Sequence, residues 1–417
     1  MTWRLRGSGR FRAILVLAVL AAGCSSVPER TPVPEPLMEE AAVPGIPFNG
    51  RFWGDGLPPW MEDMQAQVRK VASGPNRPSA WDEPQRYLAI SGGGPDGAFG
   101  AGLLNGWTAA GDRPEFTIVT GISTGALTAP FAFLGPDYDP VLKEIYTTYA
   151  TDDLVEPRTW LGIVTGDAAA DTAPLFALIE RYLDDEAIAR IAAANRDGRR
   201  LFIGTTNLDA GRPMLWNVGA IAASDAPNKA ELIHKILLAS ASIPGAFPPV
   251  MFEVEAGGQR FDELHVDGGA TSQVFLYPGA LDFREVLGAI RATDTEPRAY
   301  VIRNSPLSPH KQNVDPPNIF QIAGKSVSSL IRTQGIGNIY AIYLGAERDG
   351  IEFNLAYIPD TFDVEAKEPF DPEYMRALFD LGYGLAKDGF PWQKAPPSLH
   401  PPKVESPPTL LEAGPTG

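Results

Sequence analysis

The chain has 417 residues, 44% of them hydrophobic and 21% charged, which is the balance of a folded globular protein with one large or two modest domains. Its net charge of −16 repels phosphate backbones, so nucleic acid is not expected as a partner. One cysteine allows no internal disulfide, and His234, His265, His310 and His400 are too scattered to give metal-ligand spacing, so neither a metal nor a cofactor is expected.

Residues 1–12 carry four arginines and no acid, and residues 13–20 (AILVLAVL) are an unbroken apolar run too short to span a bilayer. This is the profile of a signal peptide over residues 1–23. The residues that follow the run, Ala21-Ala22-Gly23-Cys24, resemble the lipobox of bacterial lipoproteins, although the leucine usual three places before the cysteine here stands one step earlier, at Leu20. That resemblance implies lipidation of Cys24 and a membrane-anchored place in the bacterial cell envelope, on the outer membrane or periplasmic face. Loss of the leader would take the net charge to −20, so an acyl anchor rather than overall charge would hold the body at anionic lipid.

Residues 24–50 are dotted with proline and lack a sustained apolar period, which predicts an extended tether; residues 391–417, with paired prolines, predict a disordered tail. Between them, residues 51–390 read as one body. Its β-type runs RYLAI, FTIVTGI, RLFIGTTN, LHVDGG and AYVIRNS alternate with longer stretches of helical spacing, which predicts a layered α/β fold with ligands near the C-terminal ends of strands.

Directly after the first run comes Ser91-Gly92-Gly93-Gly94-Pro95-Asp96-Gly97, opening a helix whose Phe99, Leu103, Leu104 and Trp107 share a side. Gly92, Gly94 and Gly97 fit G-x-G-x-x-G, but the acidic residue that a dinucleotide site needs at the end of the next strand is missing, since Glu115 precedes that strand. Consecutive glycines at a helix N-terminus can instead turn several N–H groups into one cavity, which is an oxyanion hole in outline. The second run ends in Gly121-Ile122-Ser123-Thr124-Gly125, a G-x-S-x-G elbow between a strand and an apolar helix, where small neighbours permit the strained turn that exposes a serine nucleophile.

A serine nucleophile needs a base. Histidine is poorly placed for it. His310 lies in a polar segment and His400 in the proline-rich tail, His234 reads as a partly buried structural residue, and His265 shares a strand face with Asp267 and could support it. Asp267 is the better candidate, closing the run Leu264-His265-Val266 just before the turn residues Gly268-Gly269. Partial desolvation would bring its pKa toward the working range.

Taken together, Gly92-Gly93-Gly94 with Gly97, Gly121-Ile122-Ser123-Thr124-Gly125, and Asp267-Gly268-Gly269 resemble, in order, the signature boxes of the patatin-like phospholipases. The runs SASIPGAFPP (residues 240–249) and NLDAG (residues 207–211) are also similar to that family. The resemblance spans residues 87–273 and implies a three-layer α/β/α fold with a mostly parallel sheet. It further implies a lipid acyl hydrolase of phospholipase A or lysophospholipase type using a Ser-Asp dyad: Ser123 the nucleophile, Asp267 the base, the amides of Gly92, Gly93 and Gly94 the oxyanion hole, without histidine or metal. The chain departs from the family at Ser91 and Asp96, where many relatives carry Asp and Arg or Lys; a carboxylate there would discourage an anionic head group. Two other functions fit the same residues, a Ser-His-Asp esterase using His310 and a non-catalytic lipid-binding envelope lipoprotein. The expected partners are a lipid or acyl-ester substrate and a membrane reached through the acyl anchor. Segments at residues 319–331 and 372–387 are expected to be helical and to cover the sheet or frame an acyl cleft.

Overall fold

The computed structural model describes residues 30–58, 60–75, 77–159, 166–290, 296–308 and 319–396. Cys24, the leader, His310 and His400 lie outside them. The strands are β1 (Arg51–Trp53), β2 (Arg86–Ile90), β3 (Ile118–Ile122), the short pair β4 (Glu156–Pro157) and β5 (Ala170–Asp171), β6 (Arg200–Asn207), β7 (Arg212–Asn217), β8 (Val250–Ala256), β9 (Gln259–Asp267), β10 (Arg298–Arg303) and β11 (Glu352–Tyr357). The helices are α1 (Met61–Ala72), α2 (Gly97–Ala110), α3 (Thr124–Leu134), α4 (Asp139–Thr148), α5 (Thr151–Leu154), α6 (Ala173–Tyr182), α7 (Asp185–Arg196), α8 (Val218–Ala222), α9 (Lys229–Ser240), α10 (Phe283–Ile290), α11 (Ile319–Asp349) and α12 (Pro372–Lys387).

A nine-stranded sheet forms the middle layer, and its centre, β11-β10-β2-β3-β6, is parallel. Beyond β6 the chain turns antiparallel through β7 and β1, and the hairpin β8–β9 joins through β9. Successive side chains on a strand point to opposite faces, so a strand covered on both faces must be apolar throughout. β2 follows this rule: Leu88 and Ile90 face a core with α2, α3, α7, α9 and α12, whereas Tyr87 and Ala89 face a second core with α1, α10 and α11. β10 divides in the same way, Tyr300 and Ile302 to the first face and Ala299 and Val301 to the second. The architecture is therefore the expected three-layer α/β/α fold with a mostly parallel sheet.

The sequence marks one apolar side on α2, but the helix is buried almost all round, including Gly97, Ala98, Gly100, Ala101 and Gly102 beside the expected Phe99, Leu103, Leu104 and Trp107. The reason is α12, which lies against it backbone to backbone. A Cβ on Gly102 would sit 2.0 Å from the Phe379 carbonyl oxygen, and one on Gly382 2.3 Å from that of Phe99. α12 thus covers the sheet's first helical layer from outside.

Residues 30–50 depart from the expected tether. Val33 and Val43 are buried, Pro32 and Ala42 form bridges to Asp262 and Glu255, and Arg30 pairs with Asp209 and Asp262 at 2.7 Å each. The prolines here shape a strap over the β8–β9 hairpin; two valines and one arginine suffice to pin a segment with no periodicity of its own. Residues 391–396 are likewise packed rather than tail, since Trp392 contacts Trp107 and Tyr300, and Gln393 bridges to Leu355.

Candidate active site

β6 is the ruler of the site. One of its edges is taken by β7, and the other is shared end to end by β3 and β9. On that shared edge Ile122, the last residue of β3, lies opposite Gly204, and Asp267, the last residue of β9, lies opposite the next residue, Thr205. Ser123 and Asp267 are thereby brought together by adjacent rungs of one strand, although they are distant in sequence.

Ser123 sits in the sharp turn between β3 and α3 with φ 56° and ψ −126°, the only positive φ at a non-glycine position among the described residues. The elbow closes because its neighbours lack side chains: a Cβ on Gly121 would meet the Gly125 carbonyl oxygen at 2.3 Å, and one on Gly125 would meet that of Ile90 at 2.3 Å. A third support was not legible as such in the sequence. The Ser240 hydroxyl, at the end of α9, donates to the Gly204 carbonyl at 2.7 Å and accepts the Ser123 N–H at 3.0 Å. It lies in the run SASIPGAFPP, which sequence comparison marks without assigning it a task.

The Asp267 carboxyl is buried and accepts the Gly269 N–H at 2.7 Å. Burial pushes its pKa up to about 6, while hydrogen bonding with the Ser123 hydroxyl and the Gly269 N–H pulls the other way. Gly268 packs on the backbone of Gly204, where a Cβ would come within 2.4 Å of its carbonyl oxygen. His265 does not assist Asp267. Its Nδ1 pairs with Thr205 Oγ1 at 2.9 Å and its Nε2 faces Glu263 at 3.3 Å, and burial keeps its pKa low. Glu263 in turn is paired with Arg51; burial works against its charge, but His265 and Arg51 hold its pKa down to about 2. His234 donates Nε2–H to the Leu183 carbonyl at 2.7 Å, a structural role as expected.

In the glycine loop the three amides differ. Gly92 N–H is already given to the Gln273 carbonyl at 3.0 Å, which removes it from the group of available donors. Among the described residues no acceptor takes the N–H of Gly93 or Gly94, and Gly94 lines the same pocket as Ser123. The loop is fixed from behind by Asn304, just past β10. Its N–H donates to Ser91 Oγ at 2.9 Å, its Nδ2 to the Ser91 carbonyl at 3.0 Å, and its Oδ1 accepts the Gly100 N–H at 3.1 Å. Ser91 therefore works as a latch between the ends of β2 and β10. Gly97 brings the start of α2 against Thr124, beside Ser123. The Asp96 carboxylate turns to α12, accepting Tyr374 O–H at 2.6 Å, and is not among the residues lining the pocket.

That pocket is lined by Ser123 and Thr124. Leu127 and Phe131 of α3, Ile145 of α4, Leu178 and Ile179 of α6, and Leu237 of α9 make its walls apolar, and Met375 of α12 joins them. Its few polar atoms are occupied: Tyr146 O–H donates to the Thr124 carbonyl, and the Tyr149 and Tyr182 hydroxyls meet at 2.6 Å. Walls so lined suit a hydrocarbon chain and present no charged side chain to an ionic group. No group of three or more His, Cys, Asp or Glu side chains is placed to hold a metal ion among the described residues.

Comparison with known proteins agrees with the resemblance read from the motifs. The sequence model of the patatin-like phospholipases matches residues 88–278. No curated protein matches the chain. Among solved structures, the crystal structure of VipD from Legionella pneumophila is similar at 12% identity and a TM-score of 0.36, the alignment covering 73% of this chain and 66%, just under two thirds, of that one. The chain thus carries, over residues 88–278, a domain of the patatin-like phospholipase family, a family of lipid acyl hydrolases.

Proposed function

We propose that the protein hydrolyses carboxylic esters of lipids with a Ser123–Asp267 dyad, in the manner of a phospholipase A or lysophospholipase. The observation that carries this reading is the strained Ser123, lining an apolar pocket and in hydrogen-bonding reach of a buried carboxyl whose pKa is raised to about 6. Ser123 Oγ attacks the ester carbonyl as its proton passes to Asp267. The oxyanion is received by the N–H groups of Gly93 and Gly94, with Gly92 holding the loop rather than the substrate, and the N-terminus of α3 adds a favourable dipole. Collapse expels the alcohol, which takes the proton from Asp267; water then attacks the acyl-enzyme and gives a proton to Asp267, and collapse of that second intermediate returns this proton to Ser123 Oγ as the fatty acid leaves. We further propose that Cys24 carries an acyl anchor in the bacterial envelope.

The test is labelling of the full chain with a fluorophosphonate, read by intact mass. A single adduct on the wild type that is lost in Ser123→Ala supports the dyad. A folded wild type that takes no adduct yet binds lipid vesicles would favour a non-catalytic lipid-binding protein.

A further inference from the structure

Helix α11 is 31 residues long, about 46 Å, and its two halves live in different surroundings. In the C-terminal half Ile339, Ile342 and Ala346 are buried against the second face of the sheet. The N-terminal half stands clear of that core, with Ile322 53%, Val327 53%, Leu330 70% and Ile331 44% exposed. At helical spacing these four, with the exposed Leu344, fall within an arc about 180° wide that they share with Ser326, Thr333 and Gln334, and the buried residues fall in the remaining sector. From Ile319 to Ala346 the sequence holds no acid and two cations, Lys325 and Arg332, in a chain whose net charge is −16.

The same helix is tied to the catalytic loops. Asn338 Oδ1 accepts the Gln273 N–H at 2.8 Å; the Gln273 carbonyl accepts Gly92 N–H, and its side-chain amide donates to the Gly269 carbonyl at 2.7 Å. Asn338 is seven residues, about 10 Å, beyond the last exposed isoleucine.

We propose that the exposed apolar face of α11 lies in the surface of a lipid bilayer and sets the mouth of the active site on it. This rests on the reading of the protein as a lipid acyl hydrolase. A bilayer surface is favoured over a second copy of the chain because the arc is far wider than the narrow seam through which two helices pair, and because it lacks the acidic partners that a pairing surface uses for register. A helix in this position lies on the membrane and does not cross it, and no helix among the described residues is long and apolar enough to cross one.

The experiment places a bimane fluorophore at Leu330→Cys in the full chain, with Cys24→Ser removing both the only native cysteine and any acyl anchor. With phosphatidylcholine vesicles the emission shifts to the blue, and the same lipid brominated in its acyl chains quenches it. An unchanged spectrum with the protein sedimenting on the vesicles overturns the proposal, as does a blue shift without vesicles that grows with protein concentration, which is the mark of a second copy. In parallel, Val327→Asp with Leu330→Asp lowers hydrolysis of vesicle lipid at least about tenfold and leaves hydrolysis of dissolved p-nitrophenyl butyrate unchanged. Equal rates on vesicles, or equal losses on both substrates, overturn the proposal. A wild type that hydrolyses neither substrate defeats the hydrolase reading alone, since the fluorescence still decides the docking.

Discussion

Ser123 is held in a backbone conformation that costs a non-glycine residue about 1–3 kcal/mol, and the helix and strand on either side impose it. Two substitutions there should separate chemistry from strain. Ser123→Ala and Ser123→Gly should each lower ester hydrolysis by at least about 10⁴-fold, whereas chemical denaturation should find the glycine variant more stable than the alanine one by about 1 kcal/mol. Asp267 makes a second prediction with a definite sign. Its pKa is raised by folding from 3.8 to about 6, so the native state binds the proton more tightly than the unfolded chain, and stability falls as pH rises through that window. Asp267→Asn should therefore abolish hydrolysis and yet stabilise the protein at pH 7, by up to about 3 kcal/mol in a urea titration. For the wild type, kcat/KM should climb with pH through about 6 as the base loses its proton.

Arg51 and Glu263 lie where β1 crosses toward β9, both inside the protein, with His265 beyond them. Removing the arginine leaves a buried carboxylate without its cation, and Arg51→Met should cost about 3–5 kcal/mol in thermal or urea unfolding. The α2–α12 contact is the other place where one methyl group decides. Gly102→Ala would drive a Cβ into the Phe379 backbone, and a loss of at least about 1–3 kcal/mol is expected, read in the same unfolding experiment. The sequence made α2 legible as a helix but not as one buried all round, because periodicity reports large apolar side chains and is silent on glycines that admit a second backbone. β1, β7, β8 and β11 were hidden for a related reason. In β8 only alternate residues are buried, so the exposed Glu253 and Glu255 interrupt its apolar run, and in the edge strand β11 Asn354 does the same.

The catalytic candidates were readable in the chain because each stands at a strand end with glycine beside it. Their supports were not: Ser240, Gln273 and Asn304 act through hydrogen bonds between segments, and no local pattern announces such a bond. In the assembled molecule the Asp96 carboxylate is turned to Tyr374 of α12 and is not among the residues lining the pocket, a placement no spacing rule could supply. Removal of the Arg30 side chain by Arg30→Ala should cost only about 1 kcal/mol, because its two ion pairs are partly open to water, and a urea titration would register it as a small shift of the midpoint.

The strap over the β8–β9 hairpin sets the length of the leash. Were the whole stretch from Cys24 to residue 50 free, an acyl group on Cys24 would let the body wander through a hemisphere roughly 90 Å in radius at full stretch. With the chain pinned from Arg30 onward, six residues remain, and their greatest span is about 20 Å. A lipidated protein so built would be moored rather than tethered: its hairpin side would stay within about a bilayer's half-thickness of the surface, and the local concentration of lipid at the pocket would be set by that mooring rather than by diffusion.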